Sequence, residues 1–263
     1  MPRPSAALPF AYRLAGKKTY KKSYSCGSGA VTMGAAEIKV LSTHAVFEVL
    51  GELAPQFERL GIRPSIHYDP ANAIKRLIEA GANFDVAIVT PPVVEQLARE
   101  GNAWPGSQKD LARSGLGISV RKGAAKPELG SVEAFKRALL AAKSLVRSRD
   151  GSSGVYFESL LTRLGIAEAM RGKITLGGSG RVAEFVARGE VEMAVQQISE
   201  LVPVKGAVYA GPFPPELQLY TMFSACIGTA CGNREAAQGL IDAMAAPATA
   251  ALYTKHGLEP VAR

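Results

Sequence analysis

Two patterns in the sequence predict an α/β protein of two lobes joined by a two-segment hinge. From Glu37 onward, short apolar runs alternate with longer stretches of helical periodicity, which is typical of a doubly wound α/β fold. Two long strand-like stretches, 111–121 and 217–227, are separated by a complete α/β set. A chain needs two such crossings if it leaves one lobe, builds a second and returns to the first. The result is one cleft between the lobes.

The first lobe is predicted to begin with three strand–helix units. The strands are 38–41, 64–68 and 85–89, and the helices that follow them are 45–60, 71–80 and 91–99. Ser42 and Thr43 supply an N-cap for the first helix, while Gly61 and Gly81 end the first and second. Pro91 opens the third helix, at a position where its missing N–H costs nothing.

The second lobe repeats this alternation. Its predicted helices are 132–142, 153–164 and 182–188, and its strands are 144–147, 173–176 and 191–196. Two further helices, 235–244 and 246–256, finish the chain. We therefore assign residues 37–116 and 223–263 to the first lobe and residues 117–222 to the second.

Length and composition suit a folded protein with a substantial core. The chain has 263 residues, of which 47% are hydrophobic. Its formal net charge is +8, with 31 basic and 23 acidic residues, but residues 1–36 hold six of the basic residues and none of the acidic ones. With 25 basic and 23 acidic residues, the remainder is nearly neutral.

Residues 1–36 are predicted to be a disordered basic leader or the remnant of one. Contact of this segment with nucleic acid or a membrane surface is the alternative, and a nucleic-acid partner is not expected for the nearly neutral remainder. The segment lacks the apolar run of about 7 to 15 residues found in a secretory signal peptide. Small residues directly before Glu37 nevertheless resemble a cleavage region, as a replaced or misassigned leader would.

Several classes of function lack their sequence signals. Cys26, Cys226 and Cys231 are too few for a disulfide framework, and no Cys/His spacing suits a metal. No run of about 18 apolar residues predicts a transmembrane helix. Phosphate-loop, nucleophile-elbow, zinc-protease and dinucleotide-binding motifs are absent as well. The absence of these motifs favours capture of a ligand over catalysis. Neither a metal nor an organic cofactor is expected.

Small hydroxyl, glycine and amide residues stand at the predicted strand-to-helix turns. The candidate turns are Ser42-Thr43, Ala71-Asn72, Gly151-Ser152-Ser153-Gly154 and Gly177-Gly178-Ser179-Gly180. In open α/β sheets the binding crevice lies at the carboxyl ends of the strands, where helix N-termini offer free N–H groups and a positive dipole end. Each turn alone also fits a plain helix cap. Together they predict a site for a small anion.

Five larger side chains near these turns are further candidates for ligand contact. Arg149 and Arg181 flank the glycine-rich turns, where they either clamp a carboxylate or lie at the surface. Gln197 ends a strand, so its amide either reaches the ligand or belongs to a polar loop. Tyr220 either contacts the ligand or packs in the hinge. His44 is a candidate anion contact or general base, with simple exposure as the alternative.

Five segments taken together carry a resemblance to a known family. They are Glu37-Ile-Lys-Val-Leu-Ser-Thr43, Phe84-Asp-Val-Ala-Ile-Val-Thr-Pro91, Val132-Glu-Ala-Phe-Lys-Arg-Ala-Leu-Leu-Ala-Ala-Lys-Ser144, Ser153-Gly-Val-Tyr-Phe157 and Val195-Gln-Gln-Ile-Ser-Glu200. From residue 37 to about residue 260, the sequence resembles the molybdate-type (type 2) periplasmic substrate-binding proteins of ABC transporters. The resemblance implies two α/β lobes, a two-segment hinge and a small anion held mainly by neutral donors. It also implies an ABC transporter membrane subunit as partner, a periplasmic location and a monomeric state.

The family's ligand positions carry over to specific residues here. They are Ser42, Thr43, Ala71, Asn72 and the turn Ser152, Ser153 and Gly154, with Tyr220 as a looser match. The sequence departs from the family's pattern at His44, where a small residue is expected, and at Asp69-Pro-Ala-Asn72, which replaces a serine-rich loop. Arg149 and Arg181 add charge. These departures favour a carboxylate ligand over molybdate.

We therefore expect an extracytoplasmic solute-binding protein that captures a molybdate-like oxyanion or an organic polycarboxylate for an ABC importer. Aconitate isomerase resembles the same branch, so the alternative is an enzyme that shifts an allylic proton on a tricarboxylate. In that alternative His44 is the acid/base group, and Arg149 and Arg181 hold carboxylates. The effector half of a transcription regulator is disfavoured, because residues 1–36 show no helical periodicity for a helix-turn-helix.

Overall fold

Two β-sheets organise the chain in a computed structural model that describes residues 35–178 and 180–261. The strands are β1 (Ala36–Ser42), β2 (Ile62–Tyr68), β3 (Val86–Val89), β4 (Lys109–Ser114), β5 (Leu116–Arg121), β6 (Leu145–Ser148), β7 (Ile174–Gly177), β8 (Met193–Gln197), β9 (Ala207–Pro212), β10 (Thr221–Ile227) and β11 (Glu259–Pro260). Over these described residues, the first sheet has the order β11-β4-β10-β3-β1-β2 and the second the order β7-β6-β8-β5-β9. The predicted basic leader, 1–36, falls outside the described residues except for its last two.

Helices connect and cover the strands. They are α1 (Phe47–Glu52), α2 (Ala54–Arg59), α3 (Ala71–Glu79), α4 (Pro91–Arg99), α5 (Val132–Ala141), α6 (Ser152–Arg163), α7 (Ala167–Arg171), α8 (Ala183–Ala187), α9 (Ile198–Leu201), α10 (Arg234–Ala245) and α11 (Ala250–Lys255), with short 3-10 turns at His44–Val46, Pro215–Leu217 and Pro247–Thr249. Within each sheet, parallel pairs of the strand–helix units are joined to antiparallel strands. In the first sheet β1 pairs in parallel with β2 and β3, and β10 runs antiparallel to β3 and β4. The predicted α/β fold class is confirmed.

The first sheet buries both of its faces. Alternate residues of β1 point to opposite sides, as the period of two in a strand requires. Val40 packs with Leu50 and Phe57 in one cluster, while Leu41 packs with Ile74 in another. The second sheet likewise lies between two apolar clusters. Burial of such side chains contributes about 1.5–3 kcal/mol each, so each sheet is stabilised by the apolar clusters on both of its faces.

The predicted strand 111–121 is in fact two strands that belong to different sheets. The break falls at Gly115, between β4 and β5. Leu116 N donates to Gln218 Oε1 at 2.7 Å, and Gln218 Nε2 donates to Leu116 O at 3.0 Å. A Cβ atom at Gly115 would lie 3.1 Å from the Gln218 amide. The glycine therefore allows the two crossing segments to approach each other closely.

Three other predicted elements differ from the structure. In the predicted strand 217–227, strand pairing begins only at Thr221, after a 3-10 turn that starts at Pro215. The predicted helix 45–60 is divided at Leu53, since Pro55 has no N–H to continue the hydrogen-bond ladder. The final helix starts at Ala250, after a 3-10 turn that opens at Pro247. The predicted lobe boundaries, 116/117 and 222/223, stay a prediction.

The helices of the described residues are at most 12 residues long. None of them combines enough length with enough apolar character to cross a membrane.

Candidate functional site

A cavity of about 220 Å³ lies where the loops at the carboxyl ends of strands from both sheets meet. The first sheet contributes Thr43, His44, Ala45, Pro70, Ala71, Asn72, Thr90 and Phe223 to its wall. The second contributes Ser148, Asp150, Gly151, Ser152, Ser153, Gly180, Gln196, Gln197 and Glu200. Neither lysine nor arginine belongs to this wall within 35–178 and 180–261. Its polar groups are hydroxyls, amides and three ionisable side chains.

Three helices begin at the cavity wall. Helix α3 starts at Ala71, α4 follows Thr90, and α6 starts at Ser152, and none of the three has a side-chain cap. The first-turn N–H groups of these helices are thus not taken up by capping side chains. The N-terminus of each helix also carries a partial positive charge. The arrangement favours oxygen atoms of an anion without placing a full cation beside them.

Thr43, which lines the cavity, has a buried hydroxyl group. Thr43 is 6% exposed, and its backbone N–H donates to Ile88 O at 3.0 Å. Its Oγ1 is buried and has no hydrogen-bond partner in the described part of the chain. A buried hydroxyl without a partner costs free energy, so a ligand oxygen that accepts its proton would be stabilised there.

His44 and Glu200 share the cavity, and burial shifts the pKa of both toward the neutral form. Burial lowers the pKa of His44, Arg181 and His67 lower it further, and Asp69 acts in the opposite direction. Burial raises the pKa of Glu200 to about 8, although the charge of Arg181 and hydrogen bonds with Gln196 and Gln197 lower it. Near neutral pH the site therefore contains an uncharged imidazole and a carboxyl group that is largely protonated.

Arg181 and Arg149 lie outside the cavity wall. Arg181 Nη2 donates to Glu48 Oε1 at 2.7 Å, and its guanidinium lies 4.9 Å from the centroid of the Phe47 ring. Because Glu48 and Phe47 belong to α1 and Arg181 precedes α8, this contact links a helix that packs on the first sheet to the segment before a helix that packs on the second. Arg149 is exposed. Direct ligand contact by either arginine stays a prediction.

Gly154 and Tyr220 have structural surroundings that explain their residue types. A Cβ at Gly154 would lie 1.8 Å from the carbonyl oxygen of Ser148, so α6 packs directly on the end of β6. Tyr220 is 46% exposed, and the Arg113 guanidinium lies 4.4 Å from its ring centroid. Neither belongs to the cavity wall. Their predicted ligand roles stay predictions.

The remaining predicted residues divide between the wall and its support. Thr43, His44, Ala71, Asn72, Ser152, Ser153 and Gln197 line the cavity. Ser42 is buried beside it and donates from Oγ to Thr43 O at 3.0 Å. The Gln197 amide accepts from Thr221 Oγ1 at 2.8 Å and donates to Ser114 O at 2.9 Å, so it ties the wall to the hinge. Ser179 lies outside the described residues.

Sequence reasoning missed Thr90, Ser148, Asp150 and Glu200, all of which line the cavity. Glu200 had a usable signal, because it follows the predicted strand 191–196 by one helical turn and so stands at the same sheet edge. Thr90 likewise directly follows β3 and precedes α4. Asp150 stands between Arg149 and Gly151, both of which were predicted to belong to the site.

The arrangement has counterparts among known proteins. The model of the family described as bacterial extracellular solute-binding protein matches residues 38–259. The aconitate isomerase of Pseudomonas sp. is 30% identical over 231 residues, which are 85% of this chain and 88% of that protein. The periplasmic molybdate-binding protein of Azotobacter vinelandii has a TM-score of 0.71 at 21% identity, over 86% of this chain and 99% of that one. The sulfate-binding protein of Mycobacterium tuberculosis has a TM-score of 0.65 at 14% identity, over 86% of this chain and 87% of that one. The chain therefore belongs to the bacterial extracellular solute-binding protein family.

Proposed function

We propose that this protein binds a small polycarboxylate anion between its two sheets. The observation that carries the proposal is a cavity walled by neutral donors and uncapped helix N-termini, including the unpartnered hydroxyl of Thr43. Oriented N–H and O–H groups stabilise an anion without the desolvation cost of a buried lysine or arginine.

The size of the cavity limits the ligand. Its volume is about 220 Å³. That space suits a tetrahedral oxyanion or a short organic acid, and it is too small for a peptide. The sequence relative that acts on aconitate favours the organic acid.

The acidic residues of the wall are compatible with an anion below about pH 8. Burial keeps the Glu200 carboxyl protonated there, since its pKa is raised to about 8, and a protonated carboxyl donates a hydrogen bond. Asp150 is exposed, so solvent screens its charge.

Closure of the site and delivery of the anion are the second part of the proposal. We propose that the residues of the two sheets form two lobes, 37–116 with 223–263 and 117–222, which close on the anion. The occupied monomer then docks on the membrane subunits of an ABC importer in the periplasm. The membership of the solute-binding family and the molybdenum ABC transporter domain among the structural neighbours support this assignment.

Calorimetry on the purified full chain tests the binding proposal. The panel contains trans-aconitate, cis-aconitate, citrate, molybdate, tungstate and sulfate, with thermal shift as a second measurement. We expect the carboxylates to bind more tightly than the inorganic ions. Tight binding of molybdate with no response to the carboxylates would overturn the choice of ligand, and no response to the whole panel would overturn anion capture.

Isomerisation of aconitate is the second candidate function. The observation that favours it is the presence in one cavity of two ionisable groups, His44 and Glu200, whose pKa values are shifted by burial. The relative at 30% identity carries that activity. Proton NMR on cis- and trans-aconitate distinguishes the candidates, because an importer component leaves both ligands unchanged while an isomerase interconverts them.

A further inference from the structure

The carboxyl group of Glu200 lies in the cavity wall without a cation paired to it. Glu200 belongs to α9, directly after β8, and it lines the cavity together with His44 and Asn72. No salt bridge to Glu200 is present among residues 35–178 and 180–261. Arg181, whose positive charge acts on it, is paired with Glu48. A buried acid with a raised pKa in a ligand cavity is a typical catalytic acid or base.

The segment that carries Glu200 is held rigidly. Ile198 N donates to Gly115 O at 2.9 Å, and Ser199 N donates to Ser114 Oγ at 3.3 Å. A Cβ at Gly257 would lie 2.8 Å from the Ile198 side chain, so the C-terminal part of the chain packs closely on α9. These contacts fix the helix against the hinge and give Glu200 a defined position in the wall, as a proton-transfer group requires.

We propose that Glu200, and not His44, takes the proton from the substrate carbon and returns it during aconitate isomerisation. This inference rests on the second candidate function. The carboxylate removes a proton from the methylene carbon that adjoins the double bond, and the C–H electron pair becomes the new C=C bond. The electrons of the old double bond then accept a proton from Glu200 at the far carbon, and this proton can exchange with solvent while it is on the carboxyl group. The double bond has moved by one carbon, the carboxylate is regenerated, and no oxidant or reductant is consumed.

His44 has a different role in this scheme. Burial lowers the pKa of its imidazole, so it remains neutral and donates a hydrogen bond to a substrate carboxylate. Glu200 is better matched to proton transfer near neutral pH, because a base is most effective when its pKa is close to the working pH. The other charged groups near Glu200 are Arg181, which lowers its pKa, and Asp150, which lines the same cavity.

The test measures isomerisation and deuterium incorporation into the methylene group in D₂O by NMR, with calorimetry for binding. Glu200→Gln is expected to reduce both rates by about 10²–10⁴-fold while affinity changes only a few-fold. Glu200→Asp should retain part of the rate. His44→Gln should weaken binding yet keep exchange, with a rate that still rises toward about pH 8. Glu128→Gln, a change at an exposed acid in the loop before α5, is the matched control.

The outcomes separate the two proposals. A wild-type protein that binds aconitate but neither isomerises nor exchanges it overturns the enzymatic function and the role of Glu200 together. A wild-type protein that turns over, with Glu200→Gln at the same rate, overturns the role of Glu200 alone. Loss of exchange in His44→Gln with retention in Glu200→Gln assigns the proton transfer to His44.

Discussion

The two glycine-rich turns of the second sheet, 151–154 and 177–180, have similar composition but different surroundings. The first opens α6, a helix of 12 residues, and places Ser152 and Ser153 in the cavity wall. The second precedes α8, a helix of only five residues, and contributes Gly180 to the wall. Directly after it, Arg181 pairs with Glu48 of α1.

The glycines of the two turns also serve different physical needs. Gly154 has no space for a side chain, because the Ser148 carbonyl lies where its Cβ would be. Gly180 has open space around it but a φ of +113°, which side-chain-bearing residues rarely adopt. Gly154 is therefore required by close packing, and Gly180 by the path of the backbone. The first turn contributes Ser152 and Ser153 to the cavity wall, and the second directly precedes the arginine that pairs with Glu48.

Among the substitutions that test this contrast, Gly154→Ala should have the largest effect. The new methyl group would lie 1.8 Å from a backbone oxygen, so α6 must move away from β6. Overpacking of this kind costs about 1–3 kcal/mol or more, and the anion site should be lost with the helix position. Urea unfolding and calorimetry measure the two effects. Gly172→Ala, where a Cβ meets nothing within 4 Å, is the control, and equal stability of the two variants would contradict the packing argument.

The pH dependence of stability tests the electrostatic link between Glu200 in the cavity wall and Arg181, the residue directly after the second turn. Glu200 has a pKa of about 8 in the folded chain against 4.5 ordinarily, so between these values the folded state binds the extra proton. Stability should therefore fall as pH rises from about 4.5 to about 8. Glu200→Gln removes this loss, so its melting temperature should exceed that of the wild type by a margin that grows up to about pH 8.

Arg181→Gln sharpens the same measurement. Since the charge of Arg181 lowers the pKa of Glu200, its removal should raise that pKa further and extend the loss of stability to higher pH. If the difference in melting temperature between Glu200→Gln and the wild type stays constant across pH, Glu200 is not shielded from solvent in the folded protein.

Thr43→Val tests the wall that faces the first glycine turn. The change keeps the shape of the side chain and removes a hydroxyl that has no partner in the described structure. A hydrogen bond to a charged group contributes about 1.5–3 kcal/mol, so affinity for the anion should fall by about tenfold or more while the free protein keeps its stability. Ser119→Ala is the control, because its hydroxyl is also buried and unpartnered but lies outside the cavity wall. Equal affinities of the two variants would exclude Thr43 as a ligand.

The alternation of apolar runs and helical patterns was sufficient to predict the fold class and most elements. Apolar periodicity reports which face of a strand or helix is buried, and that is a local property of the sequence. The change of sheet at Gly115 was not predicted, because it depends on Gln218, which is about a hundred residues away in the chain. The division of the first helix at Leu53 had a local signal in Pro55, which the periodic pattern obscured.

The site was predicted in part, for a related reason. Turn residues such as Thr43, Asn72 and Ser152 follow strands, and the carboxyl ends of parallel strands share one edge, so their convergence follows from the fold. The partner of Arg181 does not follow from the fold, since nothing near Glu48 in the sequence marks it as facing the other sheet. Glu200 was overlooked because an acid is not expected in an anion site. Its raised pKa depends on burial that only the tertiary structure supplies.

Glu48→Gln should have the smallest effect, and it tests whether the second turn holds the lobes together. The Arg181–Glu48 pair is only partly buried, with side-chain exposures of 17% and 31%, and pairs of this kind contribute about 0.2–1 kcal/mol. If the contact stabilises the closed arrangement, its loss should weaken anion affinity by about two- to fivefold and speed dissociation, with little change in melting temperature. Glu259→Gln, which breaks the Arg113–Glu259 pair within the first sheet, is the control and should leave affinity unchanged.

In a double-mutant cycle, Glu48→Gln and Arg181→Gln together should weaken binding less than the two single effects combined. Full additivity would mean that the two side chains do not act as a pair, and that the second turn contributes to the site only through its backbone.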